Sequence, residues 1–232
     1  MPFVKLEEKL TNLKTTSLSL VVEKYLEERM LNDDLQPGER INESVLAQKL
    51  GISRAPIREA CRKLEKYGLL ESRVGKGAFV RTISHEEALN LYSIRGVLDA
   101  YAAEQVSMIR TKKQLQHLAG LLQKMRDLIP GSSTDEYLCS NIDFHKSIVT
   151  YSNNASLIGV HEGIVKQLAI FRLKTLSQPE RRSVSMIQHE AIYQAIADQN
   201  PRLAAEQARH HVEEAKAYLI EQTSQTGKRK IG

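Results

Sequence analysis

The sequence predicts a mainly α protein in two parts: an N-terminal winged helix-turn-helix with a small β-hairpin wing, then an all-α bundle of six or seven helices. Three observations predict it. Apolar residues recur at helical spacing through most of the chain. Gly and Pro are sparse, at 12 and 6 of 232 residues, so few points interrupt a helix. The only convincing strands, Leu69–Ser72 and Ala78–Arg81, flank one hairpin tip at Val74-Gly75-Lys76-Gly77.

Residues 1–16 read as a loosely ordered extension. From Ser17, the positions Leu20, Val21, Tyr25, Leu26 and Met30 mark a first helix. Leu35-Gln36-Pro37-Gly38 is a turn, and Asn42-Glu43-Ser44 opens a short helix that Gly51 stops. Ser53 is a helix N-cap, with Pro56 in the first turn where a missing N–H costs nothing. That helix reaches about Tyr67, and the wing completes a first domain over residues 17–83.

The second domain covers residues 84–222. Ser84 with Glu87, and Thr111 with Gln114, have the spacing of capping boxes opening two helices. Pro130-Gly131-Ser132-Ser133 is a loop. Further helices span about Asp135–Tyr151, Ala155–Leu176, Pro179–Gln199 and Pro201–Gln222. Residues 223–232 read as a disordered basic tail.

Hydrophobic residues make up 41% and charged residues 26%, ordinary values for a soluble globular chain. No apolar run approaches the length of a membrane span, and the charged N-terminus lacks a signal-peptide core, so a cytoplasmic protein without a membrane partner is expected. Cys61 and Cys139 sit in helical apolar patterns and read as reduced core thiols. The formal charge is +5, and its excess is concentrated. Between residues 54 and 81, Arg54, Arg58, Arg62, Lys63, Lys66, Arg73, Lys76 and Arg81 face only Glu59, Glu65 and Glu71. A local excess of this kind suits a polyanion, although a solvated helix face has the same composition.

Leu46–Tyr67 has the grammar of a helix-turn-helix. On its second helix Arg54, Arg58 and Arg62 are spaced by four and share one face, while Ile57, Ala60, Cys61 and Leu64 take the adjoining arc. One side is buried and the other is a row of guanidinium groups, suited to guanine edges and phosphates of double-stranded DNA. Lys76 at the hairpin tip is free to reach a neighbouring minor groove or phosphate.

Four blocks carry a resemblance: Leu35-Gln36-Pro37-Gly38, Leu46 to Ala60, Leu64-Glu65-Lys66-Tyr67-Gly68-Leu69-Leu70, and Gly75-Lys76-Gly77-Ala78-Phe79-Val80. In this order and spacing they closely resemble the winged-helix domain of GntR-type regulators. The resemblance implies that Ser53, Arg54 and Arg58 touch bases and phosphates, and that Gly75 and Lys76 form the wing contact. Some relatives carry a basic residue in the preceding helix where this chain has Ser44.

In the second domain, three of the seven histidines point inward by periodicity. His145 shares a stripe with Leu138, Ile142 and Val149; His189 with Ile192, Tyr193 and Ile196; His211 lies between Ala208 and Ala215. His210 turns outward, Asp143 turns away from His145, and His85, His117 and His161 show no such convergence. Three inward imidazoles make either hydrogen-bonded core residues or a metal site for Zn, Ni, Fe or Cu.

The blocks Ile94-Arg95…Asp99, Phe144-His145…Asn153-Asn154…Leu157, His189-Glu190-Ala191-Ile192…Ala195-Ile196 and His211 resemble the FadR C-terminal (FCD) type of effector domain. That resemblance implies a divalent metal, Zn or Ni in first place, held at Asn141, His145, His189 and His211, with Asn141 standing where many relatives have an Asp. It also places Arg95 at the pocket, where it could clamp the carboxylate of a small organic acid; the alternative is a surface i,i+4 ion pair with Asp99. Tyr193 is a second candidate lining residue.

The expected function is regulation of transcription: a homodimer sets two winged domains on a pseudo-palindromic site, and a small-molecule effector shifts DNA affinity. Two other classes compete. One is a hydrolase using a metal at His145, His189 and His211; no acidic residue lies with them on the inward stripes to act as a general base. The other is a nucleoid protein binding DNA by charge alone.

Overall fold

In the computed structural model the described residues are 18–129, 134–176 and 178–229, so the N-terminal extension and the Pro130–Ser133 loop lie outside them. The chain divides into two compact units, residues 1–84 and 85–232.

The first unit holds α1 (Leu18–Leu31), β1 (Arg40–Ile41), α2 (Glu43–Leu50), α3 (Arg54–Lys66), β2 (Leu70–Arg73) and β3 (Gly77–Val80). Its core collects Val22 and Leu26 from α1, Ile57, Ala60 and Leu64 from α3, and Leu70 from β2, with Ile41 of β1 and Val80 of β3 closing it from the rest of the sheet. Asn42 caps α2, its Oδ1 accepting from the N–H groups of Ser44 and Val45 at 3.1 Å each. Gly51 ends α2 at φ 63°, a left-handed position where glycine carries no Cβ penalty, and the chain turns directly into α3.

The sheet has three strands, not two, in the order β1-β3-β2 and antiparallel throughout. β1 pairs Arg40 with Phe79 and Ile41 with Ala78. Two residues are too few to show the alternation by which a strand is read from sequence; only the pairing across nearly 40 positions defines it.

The second unit holds α4 (His85–Ile109), α5 (Lys112–Asp127), α6 (Thr134–Tyr151), α7 (Ala155–Leu176), α8 (Pro179–Ala197) and α9 (Pro201–Arg229). The Thr111–Gln114 capping box forms: Gln114 N–H donates to Thr111 Oγ1, and Thr111 N–H donates to Gln114 Oε1. Arg110 closes the far end of α8, its Nε donating to the Ile196 carbonyl and its Nη2 to that of Ala197. Tyr137, Phe144, Ile192, Ile196 and Ala204 lie at the centre of the packed core.

Two expectations change here. The sequence reading ends the last helix near Gln222 and assigns a disordered tail, whereas the backbone remains helical to Arg229. Thr223 to Thr226 contain no proline, and extending an existing helix fixes only one residue per added hydrogen bond. Cys139 is exposed rather than core, because it lies off the Leu138–Ile142–His145 stripe of α6; Cys61 is buried as expected. Burial pushes the Cys61 thiol up to about 11, with Glu43 and Glu65 adding to the rise. At mildly alkaline pH, alkylation of the folded protein is therefore expected to add one label, on Cys139, and a second only after denaturation; intact-mass measurement reads this directly.

Candidate functional site

The winged unit presents one charged face. Ile57, Ala60, Cys61 and Leu64 are buried, which turns Ser53, Arg54, Arg58 and Arg62 outward; all four are exposed. The side chains of Arg54 and Arg58 are 55% and 51% exposed. Ser53 occupies the N-cap position, but its hydroxyl makes no capping bond, so it is not spent on the helix. Gly75 and Lys76 are exposed at the wing tip, and Gly75 at φ 71° sustains the tight turn closed by Lys76 N–H to Arg73 C=O at 2.9 Å.

Glu43 is the residue of this face that sequence reasoning missed. Its Oε2 lies 3.4 Å from Arg54 Nη2 and 3.5 Å from Arg58 Nε, reaching from the first turn of α2 to both guanidinium groups. The carboxylate restrains them and subtracts a charge. Glu43→Gln is expected to raise affinity for random-sequence DNA about two- to fivefold, the scale of an exposed ion pair. Discrimination in favour of the operator should fall. Competition gel shifts with unlabelled random DNA measure both.

In the helical unit the inward histidines meet. The ligand-capable nitrogens of His145, His189 and His211 all lie within 4.8 Å of one another, and all three side chains are buried. Ring centroids stand 4.6 to 5.0 Å apart. His211 Nδ1–H donates to Gln188 Oε1 at 2.9 Å, leaving its Nε2 as a lone pair. Asn141 Nδ2 donates to His189 Nε2 at 3.2 Å, and Arg172 Nη2 donates to Asn141 Oδ1, which fixes the amide's orientation. His189 Nδ1 is then a buried N–H without an acceptor.

His145 Nε2 and His189 Nε2 face each other at 3.1 Å. Two nitrogens bound to one Zn-type ion at about 2.0–2.1 Å are themselves about 2.9–3.4 Å apart, so the spacing fits shared ligation. Protonation does not satisfy the pair. Burial pushes His189 down to about 3, and burial together with Arg95 holds His145 well below its ordinary value. Burial also lowers His211. Neutral imidazoles with converging lone pairs are what a divalent cation requires. Asn141 fits less well: its oxygen already serves Arg172, and an amide brings no charge.

Arg95 is 1% exposed, so it is not a surface residue. Its ion pair with Asp99 does form, with Nη2 3.2 Å from Oδ2, but inside the domain. This corrects the surface ion pair, and two further expectations change with it. His161 is buried and hydrogen-bonded through Nε2 to Asp99 Oδ1 at 2.7 Å, and an acidic residue does lie beside the histidines, with Asp99 Oδ2 3.6 Å from His145 Nδ1. The α4 positions 92, 95 and 99 share one inward face, which the Arg95–Asp99 spacing alone hinted at. Burial alone would raise Asp99, but Arg95, His161 and Arg172 outweigh it and hold the carboxyl low. Arg172 gave no sequence signal, since its position depends on how α7 faces α6. Tyr193 is half-buried against the core.

A winged helix-turn-helix joined to an all-helical domain with a buried polar centre defines a transcription regulator. The chain belongs to the GntR family of bacterial regulatory proteins: the family's DNA-binding model matches residues 18–80, and the FCD domain model matches residues 90–214. It is 29% identical over 199 residues to the HTH-type transcriptional regulator YdhC of Bacillus subtilis, covering 85% of this chain and 89% of that one. It is 31% identical to the Nta operon transcriptional regulator of Aminobacter aminovorans over 70% of this chain and 76% of the relative. A probable D-xylose utilization operon transcriptional repressor of Paenarthrobacter nicotinovorans is 26% identical, with 86% and 88% covered. Among solved structures, E. coli McbR/YncC shares the fold at a TM-score of 0.77 and 21% identity, covering 90% of this chain and all of that one. These relatives and domains are regulators and not enzymes, so the hydrolase reading falls. Among the described residues no helix is long and apolar enough to cross a membrane.

Proposed function

We propose that this regulator binds a pseudo-palindromic operator as a homodimer and that a small organic acid, held with a divalent cation among His145, His189 and His211, changes its DNA affinity. The observation that carries the reading is the convergence of three buried, neutral imidazoles one carboxylate away from a buried arginine. A cation there, Zn or Ni by ligand type, supplies Lewis-acid charge for an anion. The protein's own groups do the selecting: Arg95 supplies a guanidinium for the acid, Tyr193 bounds the space, and the apolar shell excludes water. DNA contacts fall to Ser53, Arg54, Arg58 and Arg62 in the major groove, with Gly75 and Lys76 at the flank.

A homodimer is supported by the outer face of α4. Ile94, Val97, Tyr101 and Met108 are exposed on it at the three-and-four spacing of a helix-pairing seam. Two of the relatives are repressors of sugar-acid or sugar operons by name, so repression relieved by the acid is the proposed direction. Gel-shift titration of an operator fragment with metal and a panel of small organic acids tests the reading. Bound acid is expected to change DNA affinity at least about fivefold. Acids that bind by calorimetry and leave DNA affinity unchanged would overturn it.

Asn141→Asp makes a sharper point about the cation. An added carboxylate beside His189 is expected to tighten metal binding about 10- to 100-fold, as measured by competition with a chelator. Arg172 remains its partner in the variant, so folding should be preserved.

A further inference from the structure

Asp99 is the only buried carboxylate among the described residues of the helical unit, and nothing above assigns it a task. It stands at the junction of three helices. From α4 it reaches His161 on α7 through Oδ1 at 2.7 Å and His145 on α6 through Oδ2 at 3.6 Å, while Arg95 one turn earlier flanks Oδ2 at 3.2 Å. Oδ2 is nevertheless a buried oxygen without a hydrogen bond of its own. Its partners are charges and rings rather than a donor it owns, with Arg95 on one side and the His145 imidazole on the other.

We propose that Asp99 is the positioning residue of the histidine cluster: it holds the His145 proton on Nδ1 and so keeps the Nε2 lone pair turned toward His189 and His211. The inference rests on the metal-assisted reading above. Asp99 cannot be a ligand of the same ion, because it lies at the far nitrogen of the His145 ring from the one that meets His189. Its charge acts through the imidazole instead. A carboxylate behind a ligand imidazole sets the ring's tautomer and orientation and raises its basicity. Here that charge has a particular use. The amide of Asn141 brings none to the cluster, and Asp99 returns one negative charge at one ring's distance. His161 fixes the other carboxylate oxygen, so the carboxylate plane cannot swing away from His145. The packing of α6 and α7 on α4 is thereby written into the geometry of the cluster.

Two measurements on the full chain test this. In metal-free protein labelled with 15N-histidine, long-range proton–nitrogen correlation should show His145 protonated at Nδ1; protonation at Nε2 overturns the proposal, and no variant is needed. In the second, Asp99→Asn should weaken Zn(II) binding about 10- to 100-fold in chelator competition and shift the visible absorption of the Co(II)-loaded protein. Asp99→Glu, which keeps the charge, should recover most of the affinity. A folded Asp99→Asn protein that binds Zn(II) as tightly as the parent, with an unchanged Co(II) spectrum, overturns the positioning role and leaves the metal reading standing. A wild-type protein without affinity for any divalent cation overturns the metal reading itself and this inference with it.

Discussion

Arg58→Ala is expected to weaken operator binding about 10- to 100-fold for each half-site engaged, the scale of one bidentate arginine–guanine contact. Affinity for random DNA should fall far less, because that interaction is a sum over phosphate charges and loses one term of many. The contrast separates base reading from charge. The variant should fold as the parent does, since the Arg58 side chain is half exposed and its ion-pair partner Glu43 is shared with Arg54. Quantitative footprinting at fixed salt supplies both affinities. An Arg58→Ala protein that grips its operator as tightly as the parent removes the recognition-helix account and, with it, the assignment of Ser53, Arg54 and Arg62.

His189→Ala is expected to abolish the response while sparing DNA binding. His189 is completely buried and central, in ring contact with Phe144, His145 and His211. Removing it takes away one of three imidazoles, so divalent-metal affinity should fall by at least about 100-fold. Operator affinity without effector should stay near the parent's, because the winged unit has its own core. The cavity left behind should also lower the stability of the helical unit by about 2–4 kcal/mol, seen as a lower melting temperature. His189→Gln, which refills part of the space, separates the two effects: it should recover stability and not the metal.

Much of this molecule is visible in short windows of its sequence. The α3 face is one case. Arg54, Arg58 and Arg62 at intervals of four, with Ile57, Cys61 and Leu64 on the adjoining arc, leave a helix only one way to sit. The wing is another, since Val74-Gly75-Lys76-Gly77 requires a turn wherever it occurs. Periodicity also turned His145, His189 and His211 inward, because the direction of a side chain around a helix follows from 3.6 residues per turn and nothing else. Resemblance to known regulators added Asn141 and Arg95, whose roles no spacing revealed.

The sequence by itself determined which residues each helix would hide. Which hidden residues would meet was decided only when the helices packed. Asp99 and His161 are 62 positions apart, and Asn141 and Arg172 are 31 apart; each pair depends on the facing of two helices, not on either helix alone. The two-residue strand at Arg40–Ile41 has the same origin, a pairing without a local pattern. Helical periodicity is a property of the backbone and repeats every turn, whereas contact between helices is set by the summed fit of their apolar faces. A polar centre such as that around Asp99 is therefore assembled by the packing of residues other than its own.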